Sequence, residues 1–460
     1  MQIFIKQNAE ALKQAIPIYF VDETTDIAKL LSPFEYKQIA INKSTLTVGQ
    51  WRLVFNEKSE LSSVLFAMGN DPFSCAILAQ HLPKNIYYFA NLEQEQSLCY
   101  LGFALGFYRF DKYKTQKKEA LPQGQLMVVE PMEITQTEQL YEAISWARDL
   151  INEPTNHKST QSFATIVQNF AARYQAQIKI VRGQELQSEF PLVHAVGRAA
   201  SENAPILIDL SWGLDKSAPM VALVGKGVCF DSGGLDIKSA SNMLLMKKDM
   251  GGAATILALA KLIIEMNLNI RLRVVLPMVE NAISGNSFRP GDVLQSRAGL
   301  NIEIGNTDAE GRLILADALA YIDEERPDLL IDMATLTGAA RVALGPKIPP
   351  FFTDDEALAA DLANLSKQLK DPMWRLPLAN LYENGLSSKV ADMNNISMDG
   401  FAGSIIAALF LKKFVKNAKA WVHFDIYGWN LTQMASCPVG GEAQCVRVLY
   451  ALLLQRYGKN

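Results

Sequence analysis

Three short stretches of the chain gather residues whose types and spacing could do chemistry. Gly225-Lys226-Gly227-Val228-Cys229-Phe230-Asp231-Ser232-Gly233-Gly234-Leu235-Asp236-Ile237-Lys238 sets lysines and aspartates among glycines. Met246-Lys247-Lys248-Asp249-Met250-Gly251-Gly252 precedes an apolar stretch, and Asn306-Thr307-Asp308-Ala309-Glu310-Gly311-Arg312 follows another. Each has a plain explanation when taken alone. The first could be a phosphate loop, but the orders GxxxxGK[ST] and GxGxxG are absent. Asp249 could be a helix N-cap worth roughly 1 kcal/mol, and the third stretch could be a cap as well. Taken together, Asp231, Asp249, Asp308 and Glu310 all fall at strand-to-helix transitions, the side of an α/β sheet where ligands bind. Carboxylates gathered there repel by roughly 4 kcal/mol per pair at about 4 Å and an effective dielectric near 20. Such a cluster calls for cations, and two divalent ions would supply four positive charges. Asp308 and Glu310, two apart on extended backbone, would point into the same site.

Histidine narrows the choice of ion. Only His81, His157, His194 and His423 occur, without HExxH or HxH. His423 lies in an apolar run and reads as a core residue rather than a ligand. Oxygen donors point to hard or borderline ions, Mg²⁺, Mn²⁺ or Zn²⁺. The five cysteines are scattered and form no CxxC, so neither a disulfide framework nor a thiolate zinc site is indicated.

The elements that would hold these residues follow from hydrophobic pattern. Val64 to Met68 and Ile86 to Ala90 read as strands of a small N-terminal α/β domain. Leu140, Ile144, Ala147 and Ile151 trace one helical face, with Thr135 and Glu138 at capping-box spacing, and Pro154 ends that helix. Beyond it, apolar runs at Ile206–Ile208, Val221–Val224, Val274–Leu276, Leu329–Ile331 and Trp421–Phe424 alternate with helical stretches. One of these, from about Gly252 to Met266, is apolar almost all round, and a further strand spans 301–304 ahead of a helix near Leu313. The expected fold is α/β: a C-terminal domain with a mostly parallel central sheet flanked by helices, plus a smaller N-terminal α/β domain. The expected boundaries are 1–135 for the N-terminal domain, 136–156 for the linking helix and turn, and 157–460 for the catalytic domain.

The chain has 460 residues, 44 Lys plus Arg against 48 Asp plus Glu, and a net charge of -4. That balance argues against nucleic acid as the main partner. The polar stretch Asp111 to Glu119 reads as a solvated loop. No apolar run nears the roughly 20 residues of a membrane span, and no secretory leader is evident, so the expected location is cytoplasmic.

The octapeptide Asn306-Thr307-Asp308-Ala309-Glu310-Gly311-Arg312-Leu313 resembles the motif of the leucyl aminopeptidase family of dinuclear metallopeptidases without a change, and the 226–238 and Asp249 segments fall at that family's spacings. The resemblance covers roughly residues 140 to 460. It implies an aminopeptidase that removes N-terminal amino acids from peptides through a water activated by two metal ions, Zn²⁺ or Mn²⁺, with Mg²⁺ as a third candidate. It implies that Asp231 and Glu310 bridge the ions, that Asp308 completes one site, and that Lys226 and Asp249 complete the other. A lysine ligand must be a neutral amine, which a neighbouring dication favours. The resemblance further implies that Lys238 donates to the developing oxyanion and that Arg312 holds a bicarbonate ion. It places the substrate's first side chain against Met246, Thr335 and Gly338, with Tyr427 where many relatives carry a small residue and Asn430 where they carry an apolar one. Those two departures predict a narrower, more polar pocket than one suited to leucine. A homohexamer with inward-facing sites is implied by likeness alone. Three alternatives compete with this expectation. A metal-dependent phosphoesterase would use the same carboxylates but lacks further histidines or a second arginine cluster. A relative with a DNA-binding role is disfavoured by the acidity. A relative without metals is disfavoured by the complete set of ligand types.

Overall fold

The computed structural model describes residues 2–41, 46–92, 95–116, 123–213 and 215–458. The chain divides into two compact units, residues 1–145 with 432–439 and residues 146–431 with 440–460.

In the first unit, β-branched and aromatic runs form a six-stranded sheet in the order Phe4–Lys6, Gln125–Val128, Ile86–Phe89, Ile16–Phe20, Leu61–Phe66, Trp51–Phe55. All pairs are parallel except the last. Its core is Ile18, Val64, Phe66, Leu78, Tyr87, Phe103 and Leu126, all fully buried. Residues 112–116 of the polar loop are exposed, and Lys117, Lys118 and Glu119 lie outside the described residues.

The second unit is built on nine strands: β1 (Gln177–Arg182), β2 (Ile206–Trp212), β3 (Met220–Gly225), β4 (Gly227–Asp231), β5 (Arg271–Asn281), β6 (Leu329–Ala334), β7 (Pro350–Phe352), β8 (Trp374–Arg375) and β9 (Trp421–Asp425). They lie in the order β8-β7-β9-β6-β3-β5-β2-β1, with β4 paired to the far end of β5. The four central strands β9, β6, β3 and β5 run parallel, and antiparallel strands flank them at β7 and β2. The central strands are continuous apolar runs because helices cover both faces. The Gly251–Glu265 helix, apolar almost all round, is buried from Gly251 through Ile264. The α/β class with a mostly parallel central sheet is therefore the observed one.

Two local expectations are corrected, and one competing explanation is removed. The long helix starts at Pro131 and runs to Asn152, so Thr135 is inside it, bonding back to Pro131 O at 3.3 Å instead of capping. Proline suits the first helical position because its missing N–H would have no partner there. Asp249 is not an N-cap either: Met250 holds that position without a side-chain bond. Asp308 and Glu310 do not share an extended backbone, since Glu310 opens the Glu310–Asp323 helix. The strand before them, Asn301–Glu303, belongs to a separate three-stranded sheet with Val293–Gln295 and Met393–Asn394. All five cysteines are buried, and none is in a disulfide. Among the described residues no helix is long and apolar enough to cross a membrane.

Candidate metal centre

The centre forms where β3, β4 and β6 end. Lys226 directly follows β3, and its backbone is stitched on both sides: its N–H donates to Met333 O at 3.0 Å, and its carbonyl accepts from Ala253 N at 2.9 Å. That closeness of helix to sheet needs Gly252, where a Cβ would meet Met333 O at 2.1 Å. The Lys226 side chain then runs past Gly311, where a Cβ would lie 2.6 Å from its amine. Glycine at both positions lets a lysine stem and two carboxylates share one buried space.

Asp231, at the end of β4, Asp308 and Glu310 each bring a carboxylate oxygen within 4.8 Å of the others. Asp249 joins through Lys226, whose Nζ lies 2.8 Å from Asp249 Oδ2, 2.9 Å from Glu310 Oε1 and 3.0 Å from Thr335 O. The two carboxylate contacts are ion pairs without hydrogen-bond geometry, so Asp249 Oδ2 and both Glu310 oxygens are buried acceptors with no hydrogen bond. Lys238 Nζ lies 2.8 Å from Asp231 Oδ2 and also pairs with Asp308.

The remaining oxygens are oriented by neighbours. Asp231 Oδ1 accepts from Gly233 N and from Asn281 Nδ2, each at 2.9 Å, and the same Asn281 amide donates to Thr307 O at 3.1 Å. Asp249 Oδ1 accepts from Thr335 Oγ1 at 2.8 Å. Thr307 Oγ1 donates to Gly233 O at 2.6 Å, tying the 306–312 segment to the glycine turn after β4. Thr307 lies within the octapeptide, whereas Asn281 and Asn395, whose carbonyl accepts from Arg312, stand outside every motif. Asn281 alone left a signal, as a polar residue ending an eleven-residue, mostly apolar strand.

Electrostatics follow from packing four acids and two ammonium groups out of water. Burial, then Asp231, pushes Glu310 up to about 8. The same two causes raise Asp308 to about 6, and burial raises Asp249. Burial pulls on Lys226 and Lys238 in the opposite direction, but the carboxylates around them outweigh it and hold both above the usual lysine range. Arg312 is buried in the first turn of its helix, with Nη1 donating to Asn395 O at 2.5 Å and Nε without a partner. Burial lowers its guanidinium to about 10.

The expected side-chain pocket is partly assembled. Thr335 touches Asp249 and Lys226 as described, and a Cβ on Gly428, next to Tyr427, would lie 3.0 Å from Thr335 Cγ2. Tyr427 is half-buried, and Asn430 is buried nearby in sequence. Met246 O accepts from Asp249 N at 3.2 Å, and Gly338 lies three residues beyond Thr335. His423 is fully buried, with Nδ1 2.6 Å from Asp332 Oδ1, and takes no part in the cluster.

The cluster fits divalent cations. Three buried carboxylate oxygens have no hydrogen bond, and four acids face two ammonium groups. Oxygen donors with uncompensated negative charge are the chemistry that hard cations bind. An α/β sheet carrying such a centre at its strand ends is the arrangement of a metal-binding site. The sequence pattern of the cytosol aminopeptidase family, catalytic domain, matches residues 145–450. A probable cytosol aminopeptidase of Rickettsia felis is 34% identical over 449 residues, covering 92% of this chain and 89% of that one. A cytosol aminopeptidase of Coxiella burnetii, solved as a crystal structure, superposes with a TM-score of 0.93 at 41% identity, covering 99% of both chains. The bottromycin maturation enzyme BotP, solved in complex with Mn, superposes with a TM-score of 0.85 at 28% identity, covering 96% of this chain and 99% of that one. The chain belongs to the cytosol aminopeptidase family, and it is a metal-dependent aminopeptidase.

Proposed function

We propose that residues 157–460 remove the N-terminal amino acid from peptides at a centre of two divalent ions held by Lys226, Asp231, Asp249, Asp308 and Glu310. The observation that supports this reading is the convergence of carboxylate oxygens of Asp231, Asp308 and Glu310 within 4.8 Å of one another, beside a buried Glu310 Oε2 that has no hydrogen bond. Bound there, two divalent ions supply Lewis acidity that makes water acidic and polarises a carbonyl.

The chain's own residues do the rest. Asp231, fixed by Gly233 and Asn281, and Glu310, fixed at a helix start, present oxygens to a shared position. Lys226 is a cation while the acids alone surround it, so ligation requires its amine to lose a proton, as the dications' charge favours. Lys238, then relieved of Asp231 and Asp308, keeps its proton and donates to the oxyanion that develops on the scissile carbonyl. Arg312 offers its unpaired Nε and remaining donors to a bicarbonate ion, holding it without acting as a base. The free α-amino group of the substrate docks at the acidic cluster, which restricts cleavage to the first peptide bond. Zn²⁺ or Mn²⁺, with Mg²⁺ as the third candidate, suits the donor set. Cytoplasmic location, which the relatives' names support, and a homohexamer, implied by the family resemblance alone, complete the proposal.

The test is a panel of aminoacyl p-nitroanilides and their N-acetylated counterparts, assayed after chelation and after adding back Mn²⁺, Zn²⁺ or Mg²⁺. Turnover of free-amine substrates only, lost on chelation and restored by metal, is expected. Full turnover in chelator, or equal cleavage of acetylated substrates, contradicts the reading.

A further inference from the structure

Lys248 has no role in the centre described so far. Only 5% of it is exposed, and among the described residues its ammonium has no hydrogen bond and no ion pair. What faces it is the ring of Tyr427, with Nζ 4.5 Å from the centroid. Arg341 covers the same ring at 5.2 Å. A ring face recovers only part of what burying an ammonium costs. The nearby carboxylate of Asp425 is already committed: Oδ1 accepts from Leu336 N at 3.1 Å and Thr337 N at 3.0 Å, and Oδ2 from Thr337 Oγ1 at 2.6 Å and Ser404 Oγ at 3.1 Å. Asp249, the other carboxylate beside it, is taken by Lys226 and Thr335, so neither acid pairs directly with Lys248.

The position of this group matters as much as its charge. Lys248 directly precedes Asp249, whose Oδ1 is held by Thr335, and Tyr427 directly precedes Gly428, which packs on Thr335. The unpaired ammonium therefore lies beside the metal centre, close enough to feel the charges of Asp249 and Lys226.

We propose that this flank selects an acidic first residue: the side-chain carboxylate of an N-terminal glutamate or aspartate docks between Lys248 and Arg341 beside the Tyr427 ring. The proposal rests on the aminopeptidase reading above. It accounts for a buried lysine with which no group of the chain forms a direct pair, and it gives Tyr427 a part, holding two cations in register. The same charge disfavours N-terminal lysine and arginine.

The experiment compares kcat/KM of the metal-loaded enzyme on Glu, Gln, Asp, Asn, Leu and Lys p-nitroanilides. The isosteric Glu and Gln pair isolates charge from size. Glu is expected to exceed Gln by about tenfold or more, a ratio ordinary for one charge-assisted contact, with Lys lowest. Lys248→Met is expected to bring the Glu-to-Gln ratio close to one, and Arg341→Gln to reduce it part of the way. Wild-type enzyme that cleaves Leu and Gln substrates but handles Glu no better than Gln overturns this proposal and leaves the aminopeptidase reading standing. A Lys248→Met variant with an unchanged ratio also overturns it. Absence of turnover on every amide with every metal overturns both.

Discussion

Replacing Glu310 with glutamine should make the metal-free protein more stable at alkaline pH and remove most of what metal adds. Fully ionised, four carboxylates and two ammonium groups would leave the buried cluster at a charge of minus two before any ion binds. Within the 4.8 Å that contains the oxygens of Asp231, Asp308 and Glu310, each ionised pair costs roughly 3 to 4 kcal/mol at an effective dielectric near 20. Glu310 answers by holding its proton to about pH 8, against 4.5 ordinarily. The folded metal-free state thus keeps a proton that the unfolded chain has released, so stability falls as pH rises from about 4.5 to about 8. At roughly 1.4 kcal/mol per pH unit, the loss comes to about 4 to 5 kcal/mol for this one group. An amide at this position cannot ionise and escapes that loss, while Lys226 keeps Asp249 as its partner. Melting midpoints of both proteins, fully chelated, are then compared at pH 5 and pH 8.5 with and without Mn²⁺. The two should melt alike at pH 5, and the variant should melt several degrees higher at pH 8.5 without metal. Mn²⁺ should raise the wild type strongly at pH 8.5, weakly at pH 5, and the variant little at either. A variant that melts below wild type at pH 8.5, or gains as much from Mn²⁺, refutes the reasoning.

Asn281→Ala removes the side chain that orients Asp231, and Mn²⁺ affinity measured by competition with a chelating dye should fall ten- to a hundredfold; unchanged affinity would mean the amide plays no part in aiming the ligand. Asp332→Ala strips Trp421 Nε1 and His423 Nδ1 of their buried partner. It should cost roughly 2 to 6 kcal/mol in urea unfolding while leaving metal affinity intact, and a loss of affinity would tie that pair to the centre after all. Arg312→Met should abolish any rise in turnover on adding bicarbonate, whereas a variant stimulated like wild type would contradict the assignment of that anion to Arg312.

The fold was legible where burial dictates composition. The central strands and the Gly251–Glu265 helix announce themselves because elements covered on both sides must be apolar throughout. The convergence of Asp231, Asp249, Asp308 and Glu310 was legible through the rule that sites gather at strand ends, although Asp308 and Glu310 reach it from a different sheet than expected. Local signals failed where a competing one stood nearby. Thr135 and Glu138 have capping spacing, yet Pro131 starts the helix a turn earlier. Asp249 looks like a cap, yet its oxygens are taken by Thr335 and Lys226. Lys248 was least legible of all, because a lysine between Lys247 and Asp249 reads as surface charge, and nothing local reveals that Tyr427, far along the chain, closes over it. The small strand β4, which carries Asp231, was hidden in a glycine-rich run for the same reason: its pairing with β5 is a long-range contact.

Anomalous diffraction from crystals soaked in Mn²⁺ tests the central claim most directly. Two peaks about 3.5 to 4 Å apart are predicted, enclosed by Asp231, Asp249, Asp308 and Glu310 with the Lys226 amine beside one of them. Crystals of active enzyme with no anomalous density among those side chains would contradict the account.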